Sequence, residues 1–150
     1  MLTCADSRLS PELIFDCNLG DLFVVRTAGN IADPIVLGSI EYAVDHLHVG
    51  TIIVLGHEKC GAVAAAASGA VMPTANLDAI VRKIEPALKT IEPRGQDEAF
   101  LTKGIEANVR TVVGDLLKNS SVLKAEADEG KLVLFPAIYR LETGKVDLLK

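Results

Sequence analysis

Tryptophan is absent from the 150 residues, and the aromatic complement stops at two Tyr and four Phe. That is thin provision for the stacking platforms on which single-stranded nucleic acid binds. Cations are in the minority as well. Fifteen Lys and Arg face 20 Asp and Glu, a net charge of -5 with no dense basic run, which argues against a surface for phosphate backbones. No apolar run approaches the roughly 18 to 20 residues of a membrane-spanning helix. Cysteines number only three, an odd count without a signal-like segment. Such usage fits a reducing compartment in which thiols ligate metals or pack in a core, so a cytoplasmic protein is expected. What is present is apolar mass: 49% hydrophobic against 23% charged residues, which excludes a disordered chain and suffices for one domain over 1–150.

The chain is organised around TIIVLGHEKCG, Thr51 to Gly61. Thr51 to Leu55 are β-branched or aliphatic and read as a buried strand, closed by a turn at Gly56. His57 and Cys60 follow. Two side chains cannot fill the coordination of zinc, which takes about four ligands from Cys, His and carboxylate. Cys4 ends a second short apolar run, Met1 to Thr3, and is followed by Asp6 and Arg8. Two strand ends sharing one ion is the resulting hypothesis.

The remaining elements alternate. Ser10, Pro11 and Glu12 read as a helix start with Ser as N-cap, and Leu22 to Arg26 as a strand. Thr27 to Asn30 is a loop whose Gly29 and Asn30 tolerate positive φ. From Ile35 to Leu47, after Pro34, apolar residues recur at steps of three and four, the spacing of a helical face. Ala62 to Ala67 favours helix and stops near Gly69, which places Cys60 in a first helical turn. Leu77 to Leu88 and Ala99 to Lys118 are amphipathic helices, and Ser120 and Ser121 cap a shorter one before Gly130. Leu132 to Tyr139 is a strand whose Pro136 suggests a sheet edge or a bulge. A last short strand covers Lys145 to Leu148.

Alternating strands and helices imply an α/β fold with a mostly parallel sheet flanked by helices. Neighbouring strands lie about 4.8 Å apart and zinc bonds span only about 2.0 to 2.3 Å, so Cys4 and His57 can share an ion only from adjacent strands. Right-handed crossovers then give the order 2-1-3-4 with the short strand last. The crevice between strands 1 and 3 is where such sheets bind ligands.

Each residue has a plainer alternative. Cys60 alone is equally well a small buried hydrophobe, but a helix N-terminus lowers a thiolate pKa. His57 alone reads as a hydrogen-bonded turn residue. Cys17 is left as packing, and His46 and His48 as solvated residues at a helix end. Asp6 and Arg8 can be a surface pair of little worth. Beside a metal, the carboxylate can instead ligate the ion or accept a hydrogen bond from its water, with the guanidinium holding it in a bidentate pair.

Taken together, Cys4-Ala5-Asp6-Ser7-Arg8 and His57-Glu58-Lys59-Cys60 resemble the two signatures of the β-class carbonic anhydrases, Cys-x-Asp-x-Arg and His-x-x-Cys. FVVRTAGN, GSIEYAV, GHEKCGAV and IYRLETGKV resemble family stretches in the same order. The resemblance implies zinc on Cys4, His57 and Cys60, one ion per chain, an Asp6–Arg8 dyad beside it, and reversible hydration of carbon dioxide to bicarbonate. A backbone donor at Gly61 is expected near the substrate. It also implies a homodimer or higher even-numbered oligomer, in keeping with the positive mean hydropathy of +0.33. In some members the motif aspartate closes onto zinc at lower pH, favoured by bicarbonate in a Trp, Arg and Tyr pocket. Arg26 and Tyr139 match two of these positions and Met1 stands at the third, so no such inhibition is expected and Asp6 should stay off the metal near neutral pH. Family members carry a helical arm and a pocket-lining Gln before the first motif. Only three residues precede Cys4 here, so the domain is expected to lack the arm, to bind zinc, and to turn over more slowly. Two rival readings use the same site: a catalytically silent zinc-binding scaffold, and a hydrolase of carbonyl sulfide or carbon disulfide.

Overall fold

The aliphatic stretch in the middle of the chain becomes the central strand of a five-stranded sheet. The computed structural model describes residues 1–150 and runs, in chain order, β1 (Leu2–Cys4), α1 (Pro11–Ile14), β2 (Val25–Thr27), α2 (Pro34–Asp45), β3 (Thr51–His57), α3 (Gly61–Ser68), α4 (Ala75–Leu88), α5 (Glu98–Asn119), α6 (Ser121–Asp128), β4 (Val133–Arg140) and β5 (Lys145–Leu148), with a 3-10 turn at Ala28–Asn30. The sheet order is β2-β1-β3-β4-β5. The first four strands are parallel to their neighbours and β5 returns antiparallel to β4. Adjacency of β1 and β3, required for a shared ion, is therefore observed, as is the short last strand.

Several boundaries differ from expectation. Gly56 does not close β3, which continues through His57 in register with Tyr139 of β4. The glycine answers to packing instead: a Cβ there would stand 2.5 Å from Val109 Cγ2 and 3.0 Å from Ile138 Cδ1, so its absence lets α5 lie close on the sheet. The second strand is not Leu22–Arg26 but Val25–Thr27, because the ladder with β1 begins at Leu2↔Val25; ahead of it the Phe23 carbonyl accepts only from the Met1 amine. Pro136 lies within an interior strand, neither at an edge nor at a bulge. Its carbonyl accepts from Leu149 N at 2.9 Å, so its missing N–H faces the same side, one residue past the end of β5, and a single donor is forgone at the tip of that ladder. Leu47 falls beyond α2 and is half exposed.

Caps set most helix ends. Asp33 accepts from the amides of Ile35 and Val36, Thr74 from Leu77, Asp97 from Phe100 and Ser120 from Leu123. Ser10 makes no such bond, although Pro11 opens α1 as expected. Gly69 ends α3 in the left-handed conformation. Buried Val54, Leu55, Ile84, Val109, Leu116 and Ile138 belong to one continuous core, with α5 packed across β3 and β4 and against α3 and α4. No helix is long and apolar enough to cross a membrane.

Candidate metal centre

Parallel strands end on the same side of the sheet, and here two of the ends carry ligand chemistry. Thr3 pairs with Leu55, so Cys4 at the end of β1 and His57 at the end of β3 emerge side by side. A turn with Lys59 in the left-handed region (φ 53°) brings Cys60 back as the N-cap of α3, rather than inside its first turn. The two sulfurs and an imidazole nitrogen lie within 4.8 Å of one another, on residues only 5%, 0% and 3% exposed. Burial of three such polar groups around one point is costly unless something satisfies them.

His57 shows what is left open. Its Nδ1 stands 2.8 Å from the Glu58 carbonyl oxygen, which can only accept, so Nδ1 carries the proton and Nε2 bears a lone pair. Nε2 is buried and has no protein partner. An orphaned lone pair beside two thiols is a ligand set for a metal ion, and it leaves coordination positions unfilled.

The two thiols divide their charge unequally. A hydrogen bond from Cys60 and the amides of Gly29 and Asp6 bring the Cys4 thiol down, against the opposing effect of burial. The same contact with Cys4, together with burial, pushes the Cys60 thiol up. The pair is thus arranged to share one proton between two sulfurs.

The dyad is formed. Arg8 donates from Nε to Asp6 Oδ1 at 2.8 Å and from Nη2 to Oδ2 at 2.7 Å, with its backbone N–H adding a bond to Oδ1 at 3.0 Å. This guanidinium holds the Asp6 carboxyl well below the usual carboxylate range. Asp6 Oδ2 is 3.9 Å from His57 Nε2, and Arg8 Nη2 also reaches the Lys59 carbonyl at 3.2 Å. Asp6 therefore borders the ligand cluster with both oxygens engaged by Arg8.

Other residues singled out from the sequence fall as follows. Gly61 is exposed and heads α3, where its N–H lacks an intrahelical acceptor and an added Cβ would meet no atom within 4 Å. Cys17 is away from the cluster, its thiol directed to the Phe15 carbonyl. His46 and His48 are exposed, His46 stacking on Tyr42 and pairing with Asp45. Arg26 spends its guanidinium on the carbonyls of Cys4 and Asp6, at 3.1 and 2.7 Å.

Two supporting residues were not read from the sequence. Gly29, at φ 70°, donates its N–H to Cys4 Sγ at 3.3 Å, and a Cβ there would stand 2.7 Å from Ile84 Cδ1. Asn108, 1% exposed on α5, donates Nδ2 to the Gly29 carbonyl at 3.0 Å and so anchors the residue whose own N–H faces the Cys4 sulfur. The available signal was a lone amide on the apolar face of that helix, beside Ile105, Val109 and Val112.

Comparison with known proteins agrees with this geometry. The family model described as Carbonic anhydrase matches residues 1–146. The chain is 38% identical over 148 residues to Carbonic anhydrase 2 of Mycobacterium tuberculosis, covering 97% of this chain and 70% of that protein. It is 34% identical over 159 residues to a carbonic anhydrase of Pseudomonas aeruginosa, covering 99% and 71%. Among solved structures it superposes on the Coccomyxa β-carbonic anhydrase with a TM-score of 0.88 at 28% identity, covering 99% of this chain and 69% of that one. For the β-carbonic anhydrase CafA of Aspergillus fumigatus the TM-score is 0.87 at 27% identity, with 99% and 73% covered.

Proposed function

The chain belongs to the β-class carbonic anhydrase family, an enzyme family that interconverts carbon dioxide and bicarbonate, and on that premise we propose that its metal is zinc, one ion held by Cys4, His57 and Cys60. Two thiols and an imidazole are the soft and borderline donors that zinc prefers, and three protein ligands leave the fourth position that a catalytic site keeps for water or substrate. The observation that carries this reading is the buried, unpartnered Nε2 of His57 beside the two thiols. Zinc, when bound, supplies the Lewis acidity that makes water nucleophilic near neutral pH.

The chain's own residues supply the rest. Asp6, kept ionised by Arg8, accepts a hydrogen bond from the attacking water and turns a lone pair of its oxygen towards the substrate carbon. Arg8 also keeps both carboxylate oxygens occupied, which holds Asp6 off the metal. The Gly61 amide, free at the head of α3, donates to a substrate oxygen as charge develops on it. Thiolate ligands would raise the electron density at a bound ion, and the Gly29 N–H to Cys4 Sγ would offset part of it. Arg26 is committed to two carbonyls and Met1 is not a Trp, so bicarbonate does not drive closure of Asp6 onto the metal.

Exposed Leu13, Leu19 and Ile35, 83%, 96% and 79% accessible, suit burial against a second copy of the chain in a dimer or larger even-numbered assembly. The β-carbonic anhydrases solved from Sordaria macrospora are described as tetrameric. Free thiols, none of them disulfide-bonded, suit the cytoplasm. Asp6→Asn tests the mechanism. It should retain zinc and lose about 10²-fold or more in stopped-flow CO2 hydration. Loss of zinc from that variant would move Asp6 into the ligand set, and unaltered turnover would remove it from the mechanism.

A further inference from the structure

We propose that Glu58, through its side chain, is a positioning residue that sets His57 for metal binding, an inference that rests on His57 being a ligand. Glu58 lies between the two motif ligands, and its own carbonyl accepts the His57 Nδ1 proton at 2.8 Å. The direction of that carbonyl decides where Nε2 points. Three contacts fix the Glu58 residue to the β4–β5 hairpin: its N–H donates to the Tyr139 carbonyl at 3.2 Å, Oε2 accepts from Leu141 N at 2.9 Å, and Oε1 accepts from Arg140 Nη1 at 3.3 Å. Arg140 is itself held by Asp147 of β5 at 2.7 Å.

The contacts form a chain from β5 to the ligand nitrogen. Leu141 and Arg140 hold the Glu58 carboxylate, the carboxylate holds the Glu58 backbone, and the backbone carbonyl holds the imidazole. The next residue, Lys59, sits at φ 53°, an unfavourable conformation for a side chain that the surrounding contacts must maintain. Without the carboxylate, the turn keeps the Tyr139 bond and the exposed Lys59–Glu142 pair on this side, neither of which holds the Glu58 side chain, and the Glu58 peptide gains freedom to rotate. Nε2 then spends part of its time away from the two sulfurs, and binding must restore the order at a cost in affinity. Arg140 and Glu58 are each about one quarter exposed, so the pair is sheltered enough to be stiff yet open enough for substitution without a core cavity.

The test is zinc affinity, measured by competition with a chromophoric chelator, alongside thermal unfolding of the metal-free chain and the absorption bands of the cobalt(II) form. Glu58→Ala should bind zinc about 10- to 100-fold more weakly and show altered cobalt bands, the range found when a group orienting a metal ligand is removed. Glu58→Gln keeps an acceptor for Leu141 N and should stay within about 3-fold of the parent, well under that range. Lys59→Ala, which removes only the surface pair with Glu142, should leave affinity unchanged. A Glu58→Ala chain that unfolds at lower temperature yet binds zinc like the parent would overturn the proposal, as would equal losses in Glu58→Ala and Lys59→Ala or in Glu58→Ala and Glu58→Gln. His57→Ala separates the two layers: if it too leaves affinity intact, the ligand assignment falls with the proposal, whereas a large loss there with none in Glu58→Ala removes the positioning role alone.

Discussion

Cys4 and Cys60 are the same residue type with opposite proton preferences, and that asymmetry makes metal binding pH-dependent. Their mutual hydrogen bond draws the Cys4 thiol down and pushes the Cys60 thiol up, so the pair gives up its first proton readily and holds the second. A metal that uses both sulfurs must therefore expel about one proton, so zinc affinity should rise about tenfold per pH unit through the neutral range and fall by the same factor as the solution is acidified. Calorimetry in buffers of different ionisation enthalpy should find close to one proton released per zinc. None released would mean that both thiols are ionised beforehand or that one does not bind. Cys60→Ser should lose the metal and Cys17→Ser should keep it, because the Cys17 thiol points at the Phe15 carbonyl away from the cluster. Elemental analysis of both variants checks the distinction, and equal zinc content in the two would erase it. The ligands and the dyad were legible in the sequence because their chemistry is local: Cys, His, Asp and Arg at fixed spacings after apolar runs. The groups that hold them were not, since Gly29 reaches Cys4 across 25 positions and Asn108 reaches Gly29 across 79.

Apolar periodicity alone places α4 and α5 to within two residues, without their caps Thr74 and Asp97, and Ser120 marks the start of α6; the misreadings fall where a single residue has two explanations. Gly56 reads as a turn because glycine often ends a strand, yet here it is the contact point of α5 with β3. Pro136 reads as an edge marker, and only the register with β5 shows that it sits at the last rung of that pairing, opposite Leu149. These readings carry their own predictions. Gly56→Ala places a methyl 2.5 Å from Val109 Cγ2 and should destabilise the chain by about 1 to 3 kcal/mol in chemical denaturation. Gly114→Ala lies on α5 where a Cβ meets nothing within 4 Å, and should be neutral or stabilising by up to about 1 kcal/mol. Comparable losses at both positions would mean that α5 responds to helix perturbation in general and not to its seat on Gly56. Asn108→Ala leaves the Gly29 carbonyl without its buried donor and should cost about 1 to 3 kcal/mol.

For the whole molecule, the parallel sheet brings the ends of β1 and β3 together, and that juxtaposition gathers one ligand set from two motifs more than 50 positions apart. The adjacency of β1 and β3 follows from this requirement alone, and right-handed crossovers then put β2 on the far side of β1. Assembly follows from surface chemistry in the same way. With Leu13, Leu19 and Ile35 exposed, light scattering at micromolar concentration should find a dimer or a larger even-numbered species, and a monomer would show that these side chains remain in water. Hydration rates at neutral pH should not fall as bicarbonate is raised beyond what product inhibition accounts for, given the commitment of Arg26 to backbone carbonyls. The central claim is that one zinc on Cys4, His57 and Cys60 makes the chain a carbon dioxide hydratase. Its most direct test is a titration of metal-free protein with zinc, followed by stopped-flow CO2 hydration. The rate should climb in proportion to added zinc and level off at about one equivalent per chain. A rate that stays at the uncatalysed level beyond one equivalent, or one already at its plateau before zinc is added to metal-free protein, would contradict the account.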